Sequence, residues 1–225
     1  MARKLYVVFF ILLFLSVFLL VSTVSGAYQL EYRIEVHIDG SAKWIIEHRF
    51  LEGQDEAVFK QLSDPTYFSD YFIENVTALV NEAKLKTGRE NMTVENFKMT
   101  VNVFDSYRVV KYEFNWIEFA EEKGERIIIG DVFEVDGLFL YGDGMLSMVY
   151  PAGYMVESVS PKPNVESEQT LTWYEIKNFG TGEPRVVLNE RVPSIMDLLK
   201  SNAPTIVTLI ALAGISSTTL WFFKI

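Results

Sequence analysis

The chain has 225 residues, no cysteine and a formal net charge of −10 at pH 7. Without cysteine, neither disulfide bonds nor thiolate metal sites can form. All 30 acidic residues lie between residues 28 and 204, together with every basic residue except Arg3, Lys4 and Lys224, so this stretch has a net charge of −13. A surface of this sign repels nucleic acid and anionic lipid, and we expect neither to bind it.

An almost uninterrupted apolar run, Leu5–Val21, opens the chain after two basic residues. The small residues Ser25-Gly26-Ala27 follow it, which is the pattern of a secretory signal peptide and its cleavage site. We therefore predict that residues 1–27 are a signal peptide, cleaved after Gly26 or Ala27. The alternative is an uncleaved signal anchor, and both interpretations place the chain that follows outside the cytoplasm.

A second apolar run, Thr205–Phe223, lies near the other end of the sequence. As a helix it would be about 28 Å long, close to the thickness of the hydrocarbon core of a bilayer. Trp221 stands near its end and Lys224 directly after it, as expected at a cytoplasmic interface. We predict a transmembrane helix at 205–223 and a cytoplasmic tail at 224–225, with a buried core helix as the alternative. The protein is then a single-pass protein of the cytoplasmic membrane, with its main domain, residues 28–204, on the extracytoplasmic side.

The stretch 28–50 predicts a β-hairpin around an Asp-Gly turn. Apolar residues at even positions alternate with charged ones on the first strand, and most even positions of the return strand are also apolar. A three-residue loop, Asp39–Ser41, pairs Val36 with Trp44 and so matches the two apolar faces. A two-residue loop would place charged residues opposite apolar ones.

The hydrophobic period changes between residues 52 and 88. A short helix over 55–62 is predicted to bury Val58, Phe59 and Leu62. Ser63-Asp64-Pro65 then has the composition of a helix start, and apolar residues recur at intervals of three or four until Gly88. The resulting apolar stripe consists of Phe68, Phe72, Val76, Leu79 and Ala83.

From Thr93 onward the alternation typical of strands returns, separated by turns rich in glycine, proline and aspartate. Strands are predicted at Phe97–Val103, Val110–Trp116, Arg126–Val135, Leu138–Tyr141, Met145–Tyr150, Tyr154–Val159, Thr170–Lys177 and Arg185–Arg191. The acidic run 118–125 is predicted to be a solvated loop. The fold class is therefore α+β, a mostly antiparallel β-sheet domain with a helical insertion, in which residues 145–192 are a candidate small β subdomain.

The histidines and the acidic turns are the residues that could bind a metal ion. His37 and His48 are predicted on opposite sides of the hairpin, so they cannot share a metal ion, and we interpret His48 as a hydrogen-bonded residue at the edge of the core. A calcium site is the alternative interpretation of one acidic cluster. This cluster consists of Asp131, Glu134, Asp136, Asp143 and Gly144. Turn chemistry explains these residues without a metal, and Val132 occupies the position of the first EF-hand ligand, so we predict no metal site.

The sequence lacks the motifs G-x-S-x-G and H-E-x-x-H of serine hydrolases and zinc proteases. Carboxylates are numerous enough for a hydrolase with two catalytic carboxylates, but the sequence does not give the distance between them. We therefore predict no catalytic residues, no cofactor and no enzymatic activity.

Two N-glycosylation sequons, Asn75-Val76-Thr77 and Asn91-Met92-Thr93, lie on the predicted exported side. Asn91 is expected in a turn after Gly88 and is the better acceptor. Asn75 lies beside the apolar stripe of the predicted helix, which would shield it.

Several stretches carry a resemblance to known proteins: Ile34–Trp44, Tyr150–Tyr154, Ser160–Pro163 and Leu171–Trp173. In these residues, and in the order of signal segment, β-rich ectodomain and single carboxy-terminal span, the chain resembles uncharacterised archaeal envelope proteins. The resemblance covers most of the ectodomain and implies a location at the cell envelope, without an activity.

These features predict a membrane-anchored extracytoplasmic protein with a non-enzymatic interaction or accessory role at the cell envelope. Its expected partner is another membrane or envelope protein. One alternative is an ectodomain that senses a ligand and works with a separate membrane partner. A further alternative is an extracytoplasmic carboxylate-dependent hydrolase.

Overall fold

The computed structural model of the chain describes residues 28–135, 144–174 and 179–191. The predicted signal peptide, the predicted transmembrane helix and the predicted strand Leu138–Tyr141 lie outside these residues. The described strands are β1 (Tyr28–Val36), β2 (Ala42–Leu51), β3 (Thr93–Val103), β4 (Tyr107–Ile117), β5 (Glu121–Lys123), β6 (Arg126–Ile129), β7 (Met145–Val149), β8 (Tyr154–Ser160), β9 (Val165–Ser167), β10 (Thr170–Tyr174) and β11 (Arg185–Glu190). The helical segments are α1 (Glu56–Leu62), α2 (Pro65–Tyr67), a π-helix (Phe68–Ile73), α3 (Glu74–Thr87) and a 3₁₀-helix (Asp131–Glu134).

The strands form two sheets. The larger sheet has seven strands in the order β3-β4-β2-β1-β7-β10-β9, and its neighbours are antiparallel except β1 and β7, which run parallel. The smaller sheet has four antiparallel strands in the order β5-β6-β11-β8. The described residues thus show a β-rich fold with one helical insertion, as predicted.

One face of the larger sheet forms the core. Side chains alternate between the faces of a strand, so the even-numbered residues of β1, β2 and β4 share this face, among them the buried Ile34, Trp44 and Phe114. The helical insertion covers the part of the face near β4, where the Phe72 and Phe114 ring centroids lie 6.0 Å apart. The smaller sheet contributes apolar residues such as Leu188 to the same core cluster.

The strands after residue 145 are divided between the two sheets. β7 pairs with β1 of the larger sheet, whereas β11 joins β8 to β6 in the smaller one. The indole of Trp173 in β10 also donates a hydrogen bond of 2.9 Å to the Pro161 carbonyl directly after β8. The described strands of 145–192 therefore share one core with the first half of the chain and do not form a separate sandwich.

The β1–β2 hairpin has the predicted faces but not the predicted register. Val36 pairs with Ala42, two residues before the predicted partner Trp44. A shift of two residues keeps every side chain on its face, which is why the alternation of the sequence did not reveal it.

The conformation of Gly40 explains the shift. The loop consists of Ile38-Asp39-Gly40, closed by hydrogen bonds from the Gly40 N–H to the His37 carbonyl (3.2 Å) and from the His37 N–H to the Ser41 carbonyl (2.8 Å). Gly40 has a φ of +69°, which is the conformation required at the third position of this loop type. The predicted loop placed the glycine at the second position.

The long helical stretch that follows α1 in the insertion begins and ends as predicted. The Asp64 carboxylate accepts a hydrogen bond of 2.7 Å from the Thr66 N–H, and Gly88, with a φ of +72°, follows the last helical residue. The π-helix Phe68–Ile73 between these ends was not predicted. A π-turn contains an additional residue and so rotates the apolar stripe that follows it. As a consequence Val80, which lies outside the predicted stripe, is buried.

Three local predictions were wrong. In α1, Leu62 is buried as predicted and Phe59 is half-buried against the core, but Val58 is 43% exposed. The strand predicted to reach Val135 ends at Ile129, since Gly130 has a φ of +140° and starts the 3₁₀-helix. The acidic run is not all loop, because β5 pairs with β6 in a tight hairpin.

Replacing Gly40 with alanine should lower the free energy of unfolding. A Cβ atom at this position would lie 2.8 Å from the Ala120 carbonyl oxygen, whereas at Gly53, with a φ of +73°, it would meet nothing within 4 Å. We expect Gly53→Ala to cost about 1 kcal/mol through its backbone and Gly40→Ala about 2 to 4 kcal/mol. Urea unfolding of the full-length chain in detergent, followed by tryptophan fluorescence, measures both. Equal losses would contradict the close packing of this loop.

Candidate contact surface

Apolar side chains are exposed at one end of the larger sheet, where β2 and β3 end and β4 begins. Val103 is 70% exposed, Phe104 49%, Leu51 40% and Val101 39%. Leu51 pairs with Tyr107, and the Phe104 ring stacks on the Tyr107 ring with centroids 4.5 Å apart. Val101 and Val103 lie on the other face of the sheet, since they pair with Val110 and Arg108 of the core-face row of β4. The exposed apolar side chains therefore lie on both faces around this end of the sheet. We call Leu51, Val101, Val103 and Phe104 the apolar rim. Val103 and Phe104 line the same groove, and exposed apolar side chains grouped in this way mark candidate interaction sites.

A groove of about 360 Å³ separates the apolar rim from the start of α1. It is lined by Glu52, Gly53, Glu56, Val103, Phe104 and Arg108. The Arg108 guanidinium lies 2.7 Å from the Glu56 carboxylate and 4.3 Å from the centre of the Phe59 ring. Arg108 thereby holds α1 against β4, and the groove has one apolar and one charged wall.

Val101 and Val103 are exposed because the helical insertion covers only part of β3. Phe97 and Met99 lie under the insertion, where the Phe97 ring meets Phe72 edge to face and Met99 packs beside Tyr112. Val101 and Val103 continue the same row of side chains along β3. They extend past the insertion and remain in contact with water.

The opposite face of the larger sheet is charged. Glu113 is buried on this face, with its carboxylate 3.1 Å from the Lys43 ammonium and 3.4 Å from the Lys111 ammonium. Burial opposes ionisation of Glu113, but the hydrogen bonds and charges of the two lysines outweigh it and hold the pKa of this carboxyl below its usual value. Such a face is suited to water, as one face of an antiparallel sheet commonly is.

Two carboxylates, Glu31 and Glu47, are direct cross-strand neighbours on the charged face. They line a cleft of about 270 Å³ together with Arg33, Ile45 and Lys111. Burial, and next the charge of Glu47, raise the pKa of the Glu31 carboxyl. The Glu47 carboxylate is bound by Arg49 at 2.9 Å. The sequence did not indicate this pair, since cross-strand neighbours depend on the register.

The two histidines lie at opposite ends of β1. His37 follows the strand and is exposed, with its Nδ1 3.0 Å from the Ser41 Oγ. His48 pairs with Leu30 on the core face, and its ring meets the Tyr112 ring edge to face at 5.5 Å. Burial lowers the pKa of His48 to about 4, so the side chain is neutral at pH 7.

The acidic residues considered for calcium are not brought together in the part of the chain that the structure describes. Both carboxylate oxygens of Asp131 accept hydrogen bonds of 2.8 Å from the Arg89 Nη2, so an arginine compensates this charge. Glu134 is exposed, and Asp136 and Asp143 lie outside the described residues. No group of three or more histidine, aspartate or glutamate side chains in the described ranges is arranged to hold a metal ion.

Both sequon asparagines are exposed. Asn91 lies in the turn before β3, as predicted, and its Nδ2 donates to the Glu118 carboxylate at 3.1 Å. Asn75 lies on α3, and its Nδ2 donates to the Tyr71 carbonyl at 2.7 Å. The expected shielding of Asn75 is not found, because its side chain points away from the buried stripe. Glycosylation of Asn75 and Asn91 stays a prediction.

Sequence reasoning did not identify the apolar rim. Val101 and Val103 alternate with polar residues in the way that buried strand residues do. This pattern does not show how far the helices extend over β3. The available signal was Phe104, an aromatic residue directly before the turn residues Asp105 and Ser106.

The protein family described as a domain of unknown function (DUF7345) matches residues 33–154, more than half of the chain. The chain belongs to this family. The matched DUF7345 region includes the helical insertion, the apolar rim and the charged face.

Other comparisons add little to this assignment. No curated protein matches the sequence. Among solved structures, the folded domain of the Mycobacterium tuberculosis protein LppM, determined by NMR, is similar with a TM-score of 0.35 and 11% sequence identity, over 76% of this chain and 93% of that domain. Among the described residues of this DUF7345 member, no helix has the length and apolar character needed to cross a bilayer.

The neutral His48 should make the stability of the fold depend on pH. Its pKa is about 4 in the folded protein and 6.5 in the unfolded chain, so only the unfolded state gains a proton between these values. The contribution is present above pH 6.5 and is lost as the pH falls toward 4; at pH 5 the loss is about 2 kcal/mol. Urea unfolding at pH 7 and pH 5 should show this loss in the wild type relative to His48→Leu. Identical pH dependence in both proteins would show that His48 is not the titrating group.

Proposed function

We propose that the protein is a membrane-anchored extracytoplasmic protein that acts by binding another membrane or envelope protein, without enzymatic activity of its own. The two apolar runs of the sequence supply the export signal and the anchor in this proposal. The apolar rim, Leu51, Val101, Val103 and Phe104, is the observation that supports a role in binding.

The surroundings of the apolar rim support a protein as the ligand. Its apolar side chains are bordered by Glu52, Asp105 and the Glu56–Arg108 ion pair, and an apolar centre with a polar border is the usual composition of a protein interface. The acidic border favours a partner with basic residues around a small apolar patch, because complementary charges increase the rate and specificity of association. The same border disfavours an anionic lipid surface.

The alternatives lead to different expectations for the clefts. A ligand sensor requires a concave pocket lined mainly by apolar and aromatic groups. The 360 Å³ groove has charged side chains along one wall, and the 270 Å³ cleft is lined largely by charged side chains. A hydrolase would use Glu31 and Glu47, but Arg49 is paired with Glu47. We therefore place the function at the apolar rim.

The test is quantitative mass spectrometry of the proteins that copurify with tagged full-length chain from gently solubilised native membranes. The comparison variant carries Val103→Asp and Phe104→Asp, which charge the rim without touching the core. Val165→Asp is the matched control, since Val165 is 45% exposed on β9, at the other edge of the same sheet. We expect one stoichiometric membrane or envelope protein with the wild type and the control, and its loss from the rim variant.

Two results would contradict the proposal. Recovery of the wild-type chain without any other protein would remove the partner on which it depends. A partner recovered equally with the rim variant would move the binding site elsewhere on the molecule.

A further inference from the structure

β3 is a long strand at the edge of the larger sheet. It has eleven residues, and in the described part of the chain its one hydrogen-bonded neighbour is β4. The opposite edge is formed by β9, which has three residues. Proteins protect such edges with short strands, bulges or charges, because an open edge pairs readily with another strand.

The protection of β3 is confined to its first half. The register shifts between Glu95 and Lys98, where Asn96 has a φ of +59°, and the Lys98 side chain is 68% exposed. From Met99 to Val103 the strand contains no charge, proline or bulge. This half also contains two residues of the apolar rim, Val101 and Val103.

We propose that β3 pairs with β3 of a second copy of this chain, antiparallel and with Val101 on the two-fold axis. The two larger sheets then form one continuous sheet. An interface of this symmetry uses the same surface twice and must be self-complementary. The backbone groups of the open edge supply hydrogen bonds, and the side chains select the register.

The side chains of the second half of β3 match in this register. Val101 faces Val101, and Met99 faces Val103 on the core side of the sheet. On the charged side, Thr100 faces Asn102. A register displaced by one position would place the apolar row of one copy opposite the polar row of the other, since side chains alternate along the strand.

The position of the axis is set by the stretch of β3 that lacks protection. With Val101 on the axis, the uncharged and regular residues Met99–Val103 pair entirely with one another. With Thr100 on the axis, Val103 would face Phe97, within the irregularity of the strand. With Asn102 on the axis, Met99 would face Asp105, beyond the end of β3. The pairing of Val101 with itself is therefore the favoured one.

Dimerisation uses part of the apolar rim. It therefore extends the proposed function, and it rests on that proposal for the role of this surface. It also limits how a second protein can bind the rim. That protein would contact both copies of the dimer, or it would bind the rim residues that the β3 pair does not use, Leu51 and Phe104.

The absence of native cysteine permits a direct test by disulfide cross-linking of full-length chain in native membranes. Val101→Cys should form a disulfide-linked dimer on mild oxidation, because antiparallel neighbours have Cα atoms about 4.5 to 5.5 Å apart, within the range of a disulfide. Coexpressed Thr100→Cys and Asn102→Cys chains should also cross-link with each other. Val165→Cys, on the exposed β9 edge, is the control. A dimer band from Val101→Cys no stronger than from Val165→Cys, or cross-linking of Thr100→Cys alone in preference to Val101→Cys, overturns the proposal.

A measurement of mass separates this proposal from the proposed function. Light scattering of the detergent-solubilised full-length chain should give a dimer for the wild type and for Val165→Lys, and a monomer for Val101→Lys, which places two ammonium groups opposite each other. A monomeric wild type that still copurifies with a second protein overturns the dimer and leaves the proposed function standing. A dimer that copurifies with nothing else supports the dimer and contradicts the proposed function.

Discussion

The packing of the Trp44 indole connects the layers of this fold. Its ring centroid lies 5.9 Å from Phe114 on β4, 5.7 Å from Phe119 after β4 and 6.3 Å from Phe133 in the 3₁₀-helix. Aromatic pairs of this kind contribute about 0.5 to 1.5 kcal/mol each beyond the area that they bury. Because the 3₁₀-helix directly follows β6, these contacts fix the smaller sheet to the centre of the larger one.

The position of the helical insertion depends on the same region. Arg89, directly after α3, binds Asp131 in the 3₁₀-helix, and the Lys86 ammonium donates to the Glu134 carbonyl at 2.8 Å. At its other end the insertion is held by the Arg108–Glu56 ion pair. Held at both ends, the helices cover Phe97 and Met99 of β3 but not Val101 and Val103, which remain exposed.

The net charge of the domain opposes association at the exposed rim. With a net charge of −13, residues 28–204 repel other copies and other acidic surfaces at long range. Association therefore requires short-range contributions, which an open strand edge and a row of valines supply. Both are found in the second half of β3, where the insertion leaves the strand uncovered.

Much of the local structure followed from the sequence, because it depends on residues close together in the chain. The ends of the long helical stretch at Asp64 and Gly88, the strands β3 and β4 and the faces of the β1–β2 hairpin were all predicted from spacing and turn chemistry. The register of the hairpin was not, since a shift of two residues leaves the pattern of faces unchanged and only the φ of Gly40 selects between the registers. The π-helix was missed for a similar reason, because one additional residue changes the stripe without removing it.

The sequence by itself determined the two apolar runs, the acidic domain between them, the absence of disulfides and the alternation that makes this domain β-rich. Tertiary structure alone decided that β7 pairs with β1, that Glu31 meets Glu47 and that Val101 and Val103 face water instead of a helix. The β1–β7 pairing and the exposure of Val101 and Val103 depend on segments distant in the chain, whereas the Glu31–Glu47 contact depends on the hairpin register that Gly40 selects. The candidate contact surface belongs to this second group, because exposure is a property of what the rest of the chain leaves uncovered.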